Sequence, residues 1–153
     1  MALTDEVVVR VARRDDVPAQ VALLADDVLG RERDDPADLA PYLAAWDEMA
    51  LDPNCECLVL ELEGRLVGTA TLVYSRHLSR KGMRRCTIEE VRVAGDLRGQ
   101  GLGGVLIESC IDVARARGCG VVQLTSHESR TDAHRFYQRL GFSASHLGMK
   151  LYL

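Results

Sequence analysis

The sequence lacks a long hydrophobic run. None of the apolar stretches among its 153 residues approaches the roughly eighteen residues that a membrane-spanning helix needs. Residues 1–6 also lack the basic region and apolar core of a secretory leader. We therefore expect a cytoplasmic protein without a membrane partner.

The sequence also lacks an excess of charge of one sign. Its formal net charge is -4, and 27% of its residues are charged, with both signs represented. A surface that binds nucleic acid usually carries a basic excess. Nucleic acid is therefore not an expected partner.

Paired cysteine motifs are missing as well. The five cysteines are odd in number, and none of their spacings matches the C-x-x-C of metal and redox sites. Cys55 and Cys57 would share one face of a strand, where a bond between them is geometrically poor. We expect reduced core thiols without a chemical role, and no metal, since the sequence has no cluster of histidine and cysteine.

No internal repeat, linker or low-complexity segment divides the chain. With 47% hydrophobic residues, 153 residues suffice for one core and are too few for two comfortable ones. We expect a single domain over residues 1–153.

What the sequence does contain is a dense cluster of glycines between a β-rich run and an amphipathic stretch. Four of the six residues in Gly99–Gly104 are glycines, which let the backbone curl and approach a ligand closely. The first amides of the following helix have no intrahelical partner and lie at the positive end of its dipole. Together with Arg98, they predict a phosphate or pyrophosphate site.

The same residues also satisfy the G-x-G-x-x-G pattern of dinucleotide-binding domains, with Glu128 after the next apolar strand. Such a domain normally begins with this turn and continues through further strand and helix pairs. Here the turn comes near residue 100 of 153, so too little chain remains. We therefore set the dinucleotide interpretation aside.

Hydrophobic periodicity and turn residues predict an alternation of strands and helices along the rest of the chain. A strand, helix and strand in succession after residue 86 imply a parallel pair with a right-handed crossover, so the sheet is mixed. The predicted elements are a strand at 7–11, a helix ending near Gly30, a helix at 37–50, antiparallel strands at 55–62 and 66–78 around Glu63-Gly64, a strand at 86–93, a helix at 102–117, a strand at 121–125, a helix at 132–140 and closing strands at 142–153.

Two motifs resemble the GNAT superfamily of acyl-CoA-dependent N-acetyltransferases. Arg98-x-x-Gly101-x-Gly103 resembles its pyrophosphate-binding motif, and the run 132–142, in which Phe136-Tyr137 precedes Leu-Gly-Phe, resembles its second signature. The order of predicted elements also agrees. The resemblance implies an α/β fold of the mixed α+β kind, with a central, mostly antiparallel sheet, a splayed parallel strand pair and about four helices.

The resemblance further implies acetyl-CoA as cosubstrate, and a small-molecule amine or a protein amino group as acceptor. Members often form homodimers. In the family the strand before the glycine turn pairs with the pantetheine arm like an added strand, and exposed amides polarise the thioester. At the position of Arg130, seven residues before Tyr137, members of the family commonly have an asparagine that contacts the cofactor. This sequence departs from that pattern. The residues expected to bind the cofactor are Val91, Arg92, Val93, Arg98, Gly99, Gln100, Gly101, Leu102, Gly103, Gly104, Phe136 and Tyr137.

Acetyl transfer to an amine needs a base for the amine proton, and Glu89 and Glu90 are the candidates. Both fall on a predicted central strand, where burial would raise a carboxylate's pKa. Since adjacent strand residues face opposite sides, only one can enter a cleft. Glu89 is preferred as the base, because in related enzymes the groups on this strand that act as a base lie an even number of residues before the position of Val93. A Glu paired with Arg92 is the structural alternative.

Tyr137 is the candidate acid for the departing thiolate, with a core aromatic as its alternative role. His127 and His134 are left without a role, because a lone histidine is more often a surface or packing residue. No arrangement typical of covalent catalysis appears, which favours direct transfer. The alternative function is a non-catalytic acyl-CoA-binding sensor or regulatory module.

Two charged segments stay open in function. Acidic residues crowd positions 26–48, either as a solvated helix surface or as the mouth of a cleft that suits a cationic amine. The basic segment 76–85 is predicted to be a loop, either solvated or in contact with an acidic acceptor or with the 3'-phosphate of coenzyme A.

Overall fold

The computed structural model describes residues 3–153. Within this range five strands form one sheet, in which spatial order follows chain order. The first four strands are antiparallel to their neighbours, and the fifth is parallel to the fourth. The predicted mixed, mostly antiparallel sheet is therefore confirmed. The strands are β1 (Val7–Val11), β2 (Cys55–Leu62), β3 (Arg65–Arg76), β4 (Arg84–Val93) and β5 (Val121–Gln123).

Four helices of eight residues or more accompany the sheet in residues 3–153, as the resemblance implied, together with two single turns. None of these helices is long and apolar enough to cross a membrane. The segments are α1 (Val17–Leu24), α2 (Val28–Arg31), α3 (Ala40–Met49), α4 (Ser79–Gly82), α5 (Leu102–Ala116) and α6 (Thr131–Arg139), with 3-10 turns at Leu3–Asp5, Arg14–Asp16 and Gly95–Leu97.

Two predicted helix boundaries were wrong. The first helix does not continue to Gly30 but ends at Leu24, because Asp27 starts a separate turn by accepting a hydrogen bond of 2.6 Å from the Gly30 amide. The second helix begins at Ala40 rather than near residue 37, and Pro41 occupies its first turn. The chain between α1 and α3 is therefore a bent connection.

The helices cover both faces of the sheet. On one face α5 contributes Leu106 and Cys110 to a core that includes Leu72 and Ile88. On the other face Trp46 and Met49 of α3 pack against Cys57 and Val59 of β2. Burial on both sides explains why β2 and β3 read as nearly continuous apolar runs.

β4 contains a β-bulge at Glu90. Thr71 pairs with Glu89 and Thr69 pairs with Arg92, so two residues of β4 stand opposite one residue of β3. Glu90 adopts a left-handed backbone conformation, with φ of +57°. The extra residue shifts the alternation of side chains, and Val91 therefore joins the same core as Ile88.

β4 and β5 diverge after a short ladder. Among residues 3–153, only 85–87 of β4 pair with β5, and β4 continues to Val93 without a strand partner on that side. The splayed parallel pair is confirmed. Its consequence is an open wedge, one side of which is the backbone of Val91–Val93.

The predicted closing strands at 142–153 were wrong. Beyond Phe142 the chain has no strand assignment, and every residue from 143 to 153 is exposed. No backbone hydrogen bond joins residues 143–153 to the remainder of the described chain. The segment has the alternating pattern of a strand, but within residues 3–153 it pairs with no strand.

The five cysteines are free thiols. Cys57, Cys86 and Cys110 are buried, and Cys55 and Cys119 are half-buried. Burial raises the pKa of Cys86 and of Cys110 to about 12, so both stay protonated at neutral pH. The prediction of reduced core thiols is confirmed.

Candidate functional site

A cleft of about 290 Å³ lies between the end of β4 that is not paired with β5 and the start of α6. One wall is Val91–Val93 of β4, and the opposite wall is Ser129–Ala133, which leads into α6. Asp27 and Arg98 complete the lining. The cleft thus brings together the strand before the glycine turn and the start of the second signature, which lie far apart in sequence.

Beside this cleft, the glycine turn presents unpaired amides. Within residues 3–153, the amide groups of Gly99–Gly104 donate to no backbone or side-chain acceptor, and the fifteen-residue helix α5 follows directly. Gly99 and Gly101 have φ of +76° and +84°, a conformation that side chains with a Cβ rarely adopt. Free amides at the start of a helix are what an anion site requires, and diphosphate binding at this turn stays a prediction.

Gly103 has a second role in packing. A Cβ atom at this position would lie 3.2 Å from Cζ of Phe136, whereas a Cβ at Gly104 would meet nothing within 4 Å. Gly103 therefore lets α6 approach the first turn of α5. Phe136 packs against Gly103 and lies half-buried beside Tyr137.

Two arginines share one carboxylate in the cleft. Asp27 lies 2.8 Å from Arg130 and 3.8 Å from Nε of Arg92. This Nε atom is buried and has no hydrogen-bond partner in the described structure. Burial, followed by the charge of Arg130, lowers the pKa of Arg92. Burial pushes the pKa of Asp27 upward, but the Gly30 amide and the two arginines outweigh it, so this pKa is lowered and Asp27 is a carboxylate at neutral pH.

Arg98 extends the positive charge toward the glycine turn. Its Nε donates to the Val93 carbonyl at 3.3 Å, and its guanidinium lies 3.9 Å from Asp26. Asp26 in turn accepts the Gly95 amide at 2.9 Å. Of the acidic segment 26–48, Asp27 lines the cleft, while Asp26 is exposed and holds the backbone that follows β4.

Glu90 and Glu89 lie on the same face of the sheet. Oε2 of Glu90 accepts the Thr71 hydroxyl at 3.0 Å, and Glu89 stands directly opposite Thr71 in the ladder. The expectation that the two face opposite sides was wrong, because the bulge interrupts the alternation. Neither of them lines the cleft. Both side chains are exposed rather than buried, and Arg92 pairs with Asp27 instead.

Tyr137 lies in an aromatic group on the inner side of α6. Its ring centroid is 5.1 Å from that of Phe136 and 5.8 Å from that of Phe142. Burial raises the pKa of the phenol, and the nearby positive charges of Arg92 and Arg130 oppose this without cancelling it. Tyr137 therefore carries its proton at neutral pH, which a general acid requires.

The two histidines near α6 are engaged locally. His127 contacts the Ser129 hydroxyl through Nδ1 at 2.7 Å, and Nε2 of His134 lies 2.9 Å from the His127 carbonyl. These bonds organise the loop before α6. Both residues thus have the structural role that the sequence favoured.

Sequence reasoning missed Asp27 and Thr71. Asp27 had one usable signal, since an Asp three residues before Gly30 can cap a helix turn. Thr71 had none, because its contact with Glu90 depends on the bulge.

The comparisons with known proteins agree with this geometry. Residues 21–142 match the model of the acetyltransferase (GNAT) family. Glucosamine 6-phosphate N-acetyltransferase of Trypanosoma brucei brucei is 39% identical over 88 residues, which is 58% of each chain. Aminoalkylphosphonate N-acetyltransferase of Salmonella typhimurium is 34% identical over 63% of this chain and 62% of its own. The matches thus span less than two thirds of these relatives.

Among solved structures, a transcriptional regulator from Bacillus halodurans C-125 superposes with a TM-score of 0.92 at 40% identity. This match covers 96% of the present chain and 99% of the other. Since the family model spans most of the sequence and includes both the glycine turn and α6, the chain belongs to the GNAT acetyltransferase family.

Proposed function

We propose that the chain transfers an acetyl group from acetyl-CoA to the primary amine of a small molecule. The observation that supports this most directly is the wedge between β4 and β5 beside a turn of unpaired amides. A long acyl-CoA needs both an open strand edge for its amide-rich arm and donors for its diphosphate. These two requirements meet here in adjacent segments of the chain.

Groups of this chain would hold each part of acetyl-CoA. Amides of Gly99–Gly104 and the positive end of α5 would hold the diphosphate, with Arg98 adding charge. The free edge of Val91–Val93 would pair with the pantetheine amides. Gln100, Leu102 and Phe136 would contribute contact and packing around this turn.

In the proposed reaction, the amine nitrogen attacks the thioester carbonyl, a carbon–nitrogen bond forms and the carbon–sulfur bond breaks. Glu90, held by the Thr71 hydroxyl, accepts the amine proton directly or through a water, with Glu89 as the alternative base on the same face. Tyr137 gives its proton to the departing thiolate. Free strand amides near the thioester stabilise the developing oxyanion.

The names of the relatives support an acceptor class. Two of them are named for acetylation of glucosamine 6-phosphate and of aminoalkylphosphonates, both small amines that carry an acidic group. For this chain we propose a small-molecule amine, with protein amino groups as the alternative.

The test is release of free coenzyme A from acetyl-CoA, measured over a panel of amino sugars, aminoalkylphosphonates, polyamines and peptide amines. We expect amine-dependent release with at least one small amine, together with an acetylated product of the expected mass. Release that does not depend on any amine, or none at all from a protein that binds acetyl-CoA, would contradict the proposal.

A second candidate is a regulatory module that binds acyl-CoA without catalysis. The similarity to a protein named a transcriptional regulator favours it. The same panel separates the two functions, because a regulatory module would bind acetyl-CoA and leave the thioester intact.

A further inference from the structure

Arg92 lies on the same face of the sheet as the two candidate bases. In the ladder between β3 and β4, Thr69 pairs with Arg92 and Thr71 pairs with Glu89. Since Thr69 and Thr71 are two residues apart on one strand, their side chains and those of their partners point the same way. Glu90 joins this face through its bond to the Thr71 hydroxyl. Two carboxylates and a guanidinium are therefore neighbours on one surface.

The charges in direct contact with Arg92 do not balance. Arg92 and Arg130 share the single carboxylate of Asp27, at 3.8 and 2.8 Å, which leaves one positive charge over. The Arg92 side chain is 17% exposed, and its buried Nε atom has no hydrogen-bond partner in the described structure. The lowered pKa of Arg92 is consistent with a cation that lacks a full counter-charge. An anion bound here would offset a desolvation cost that the protein leaves uncompensated.

We propose that Arg92 and Arg130 bind an acidic group of the acceptor, so that the substrate is a small amine that also carries a phosphate, phosphonate or carboxylate. This inference rests on the acetyl transfer proposed above and names the class of amine that undergoes it. Guanidinium groups suit these anions because they donate paired hydrogen bonds to two oxygens. Both arginines are close enough to the Tyr137 phenol for their charges to act on its pKa, so the bound acceptor lies beside the candidate acid.

The bulge in β4 keeps the candidate base and the guanidinium close together along the strand. Glu89 and Arg92 stand opposite Thr71 and Thr69, which are only two residues apart. Since a strand advances about 3.3 Å per residue, roughly 7 Å of sheet contains the whole stretch from Glu89 to Arg92. A small molecule can therefore place its amine at Glu90 and its acidic group at Arg92. The acidic group takes no part in the reaction and orients the amine.

The cofactor does not supply this anion in the proposed binding mode. Its diphosphate lies at Arg98 and Gly99–Gly104, after β4 has ended, and its pantetheine arm is uncharged. The backbone of Arg92 faces that arm. Its side chain lies on the face of the sheet that α1 covers, where Gln20 donates to Thr69. The unbalanced charge is thus on the side of β4 where the candidate bases await an amine.

The first test compares acidic amines with their neutral counterparts. The pairs are aminoalkylphosphonates with amino alcohols, amino sugar phosphates with amino sugars, and amino acids with their amides. Coenzyme A release at saturating acetyl-CoA gives kcat/KM for each, and we expect the acidic member of at least one pair to be preferred on the order of 100-fold. Turnover of amines without any acid preference would overturn this inference and leave acetyl transfer intact. No amine-dependent release from any member would contradict the proposed function itself.

The second test assigns the preference to one side chain. Arg92→Gln should lower the ratio of kcat/KM for the acidic amine to that for the neutral amine by about 10- to 100-fold. A loss of folded protein lowers both values equally and cancels in this ratio. Arg98→Gln removes another arginine of the same cleft and is the matched control, with a raised KM for acetyl-CoA and an unchanged ratio. An unchanged ratio in Arg92→Gln, or an equal fall in Arg98→Gln, would show the assignment to be wrong.

The third test uses the wild-type chain, so that it does not depend on how a variant folds. Propylphosphonate has an acidic group and no amine. We expect it to inhibit competitively against the acidic amine and not against acetyl-CoA. Competition with acetyl-CoA would assign the arginines to the phosphates of the cofactor, and either this result or a lack of inhibition would overturn the inference.

Discussion

At the scale of single residues, the informative contact is the one between Glu90 and Thr71. The sequence indicated both glutamates, but not that they share a face, since a bulge has no reliable sequence signal here. The two carboxylates therefore differ in their contacts. Glu90 is held by a hydroxyl, and within residues 3–153 Glu89 makes no side-chain hydrogen bond or ion pair.

This difference gives a paired prediction. Glu90→Gln should lower kcat on the order of 100-fold, because loss of a general base typically costs two to four orders of magnitude, about 10² to 10⁴. Glu89→Gln, one residue away and also exposed, is the matched control and should leave kcat nearly unchanged. Steady-state kinetics at saturating acetyl-CoA measure both. The reverse outcome would assign the base to Glu89.

Tyr137 leads to a second residue-scale prediction. Tyr137→Phe keeps the aromatic contacts with Phe136 and Phe142 and removes the acidic proton, so kcat should fall about 100-fold with little change in the KM for acetyl-CoA. Tyr74→Phe is the control, since the Tyr74 hydroxyl donates to the half-buried Glu56 and neither residue lines the cleft. Unaltered turnover in Tyr137→Phe would remove this residue from the mechanism.

At the scale of elements, β1, the β2–β3 hairpin, α5 and α6 were predictable within a few residues because periodicity and turn glycines define them locally. The break between α1 and α2 was not, since it depends on one side-chain bond to Gly30. The cleft itself was predictable from two motifs. Its charged lining was not, because Asp27 comes from a connection whose path the sequence did not reveal.

The glycine turn allows a controlled test at this scale. Gly101→Ala and Gly118→Ala both force alanine into positive φ, and neither new Cβ would lie within 3 Å of another atom. Each should cost about 1–2 kcal/mol of folding stability. Only Gly101→Ala, at the start of α5, should raise the KM for acetyl-CoA, on the order of tenfold for one weakened charge-assisted bond.

Kinetics and denaturant unfolding of the two variants separate the effects. Similar losses of stability with a selective change in KM would support the turn as the diphosphate site. An equal rise in KM in Gly118→Ala would show that destabilisation alone explains it.

At the scale of the whole molecule, two motifs in the right order were enough to predict the fold class, whereas the prediction of closing strands was wrong. Alternating apolar residues at 147–153 predict a strand, but a local pattern carries no information about which edge, or which copy, supplies its partner. That part of the architecture depends on long-range pairing.

Ligand binding supplies a prediction at this scale. Acetyl-CoA at a hundred times its Kd should stabilise the folded protein by about 2.7 kcal/mol, which raises the Tm by about 5–10 °C for a chain of this size. NAD at the same concentration should leave the Tm unchanged. A shift with NAD and none with acetyl-CoA in differential scanning fluorimetry would restore the dinucleotide interpretation of Gly99–Gly104.

The left-handed residue in β4 has a consequence for which side chains reach the core. Upstream of it, even-numbered positions such as Ile88 point toward α5; downstream, odd-numbered positions such as Val91 do. Were the same residues to form a regular strand without the bulge, Arg92 would turn toward the apolar interior and Val91 would turn away from it. Deleting Glu90, in contrast, would restore regular pairing and leave Val91 in the core.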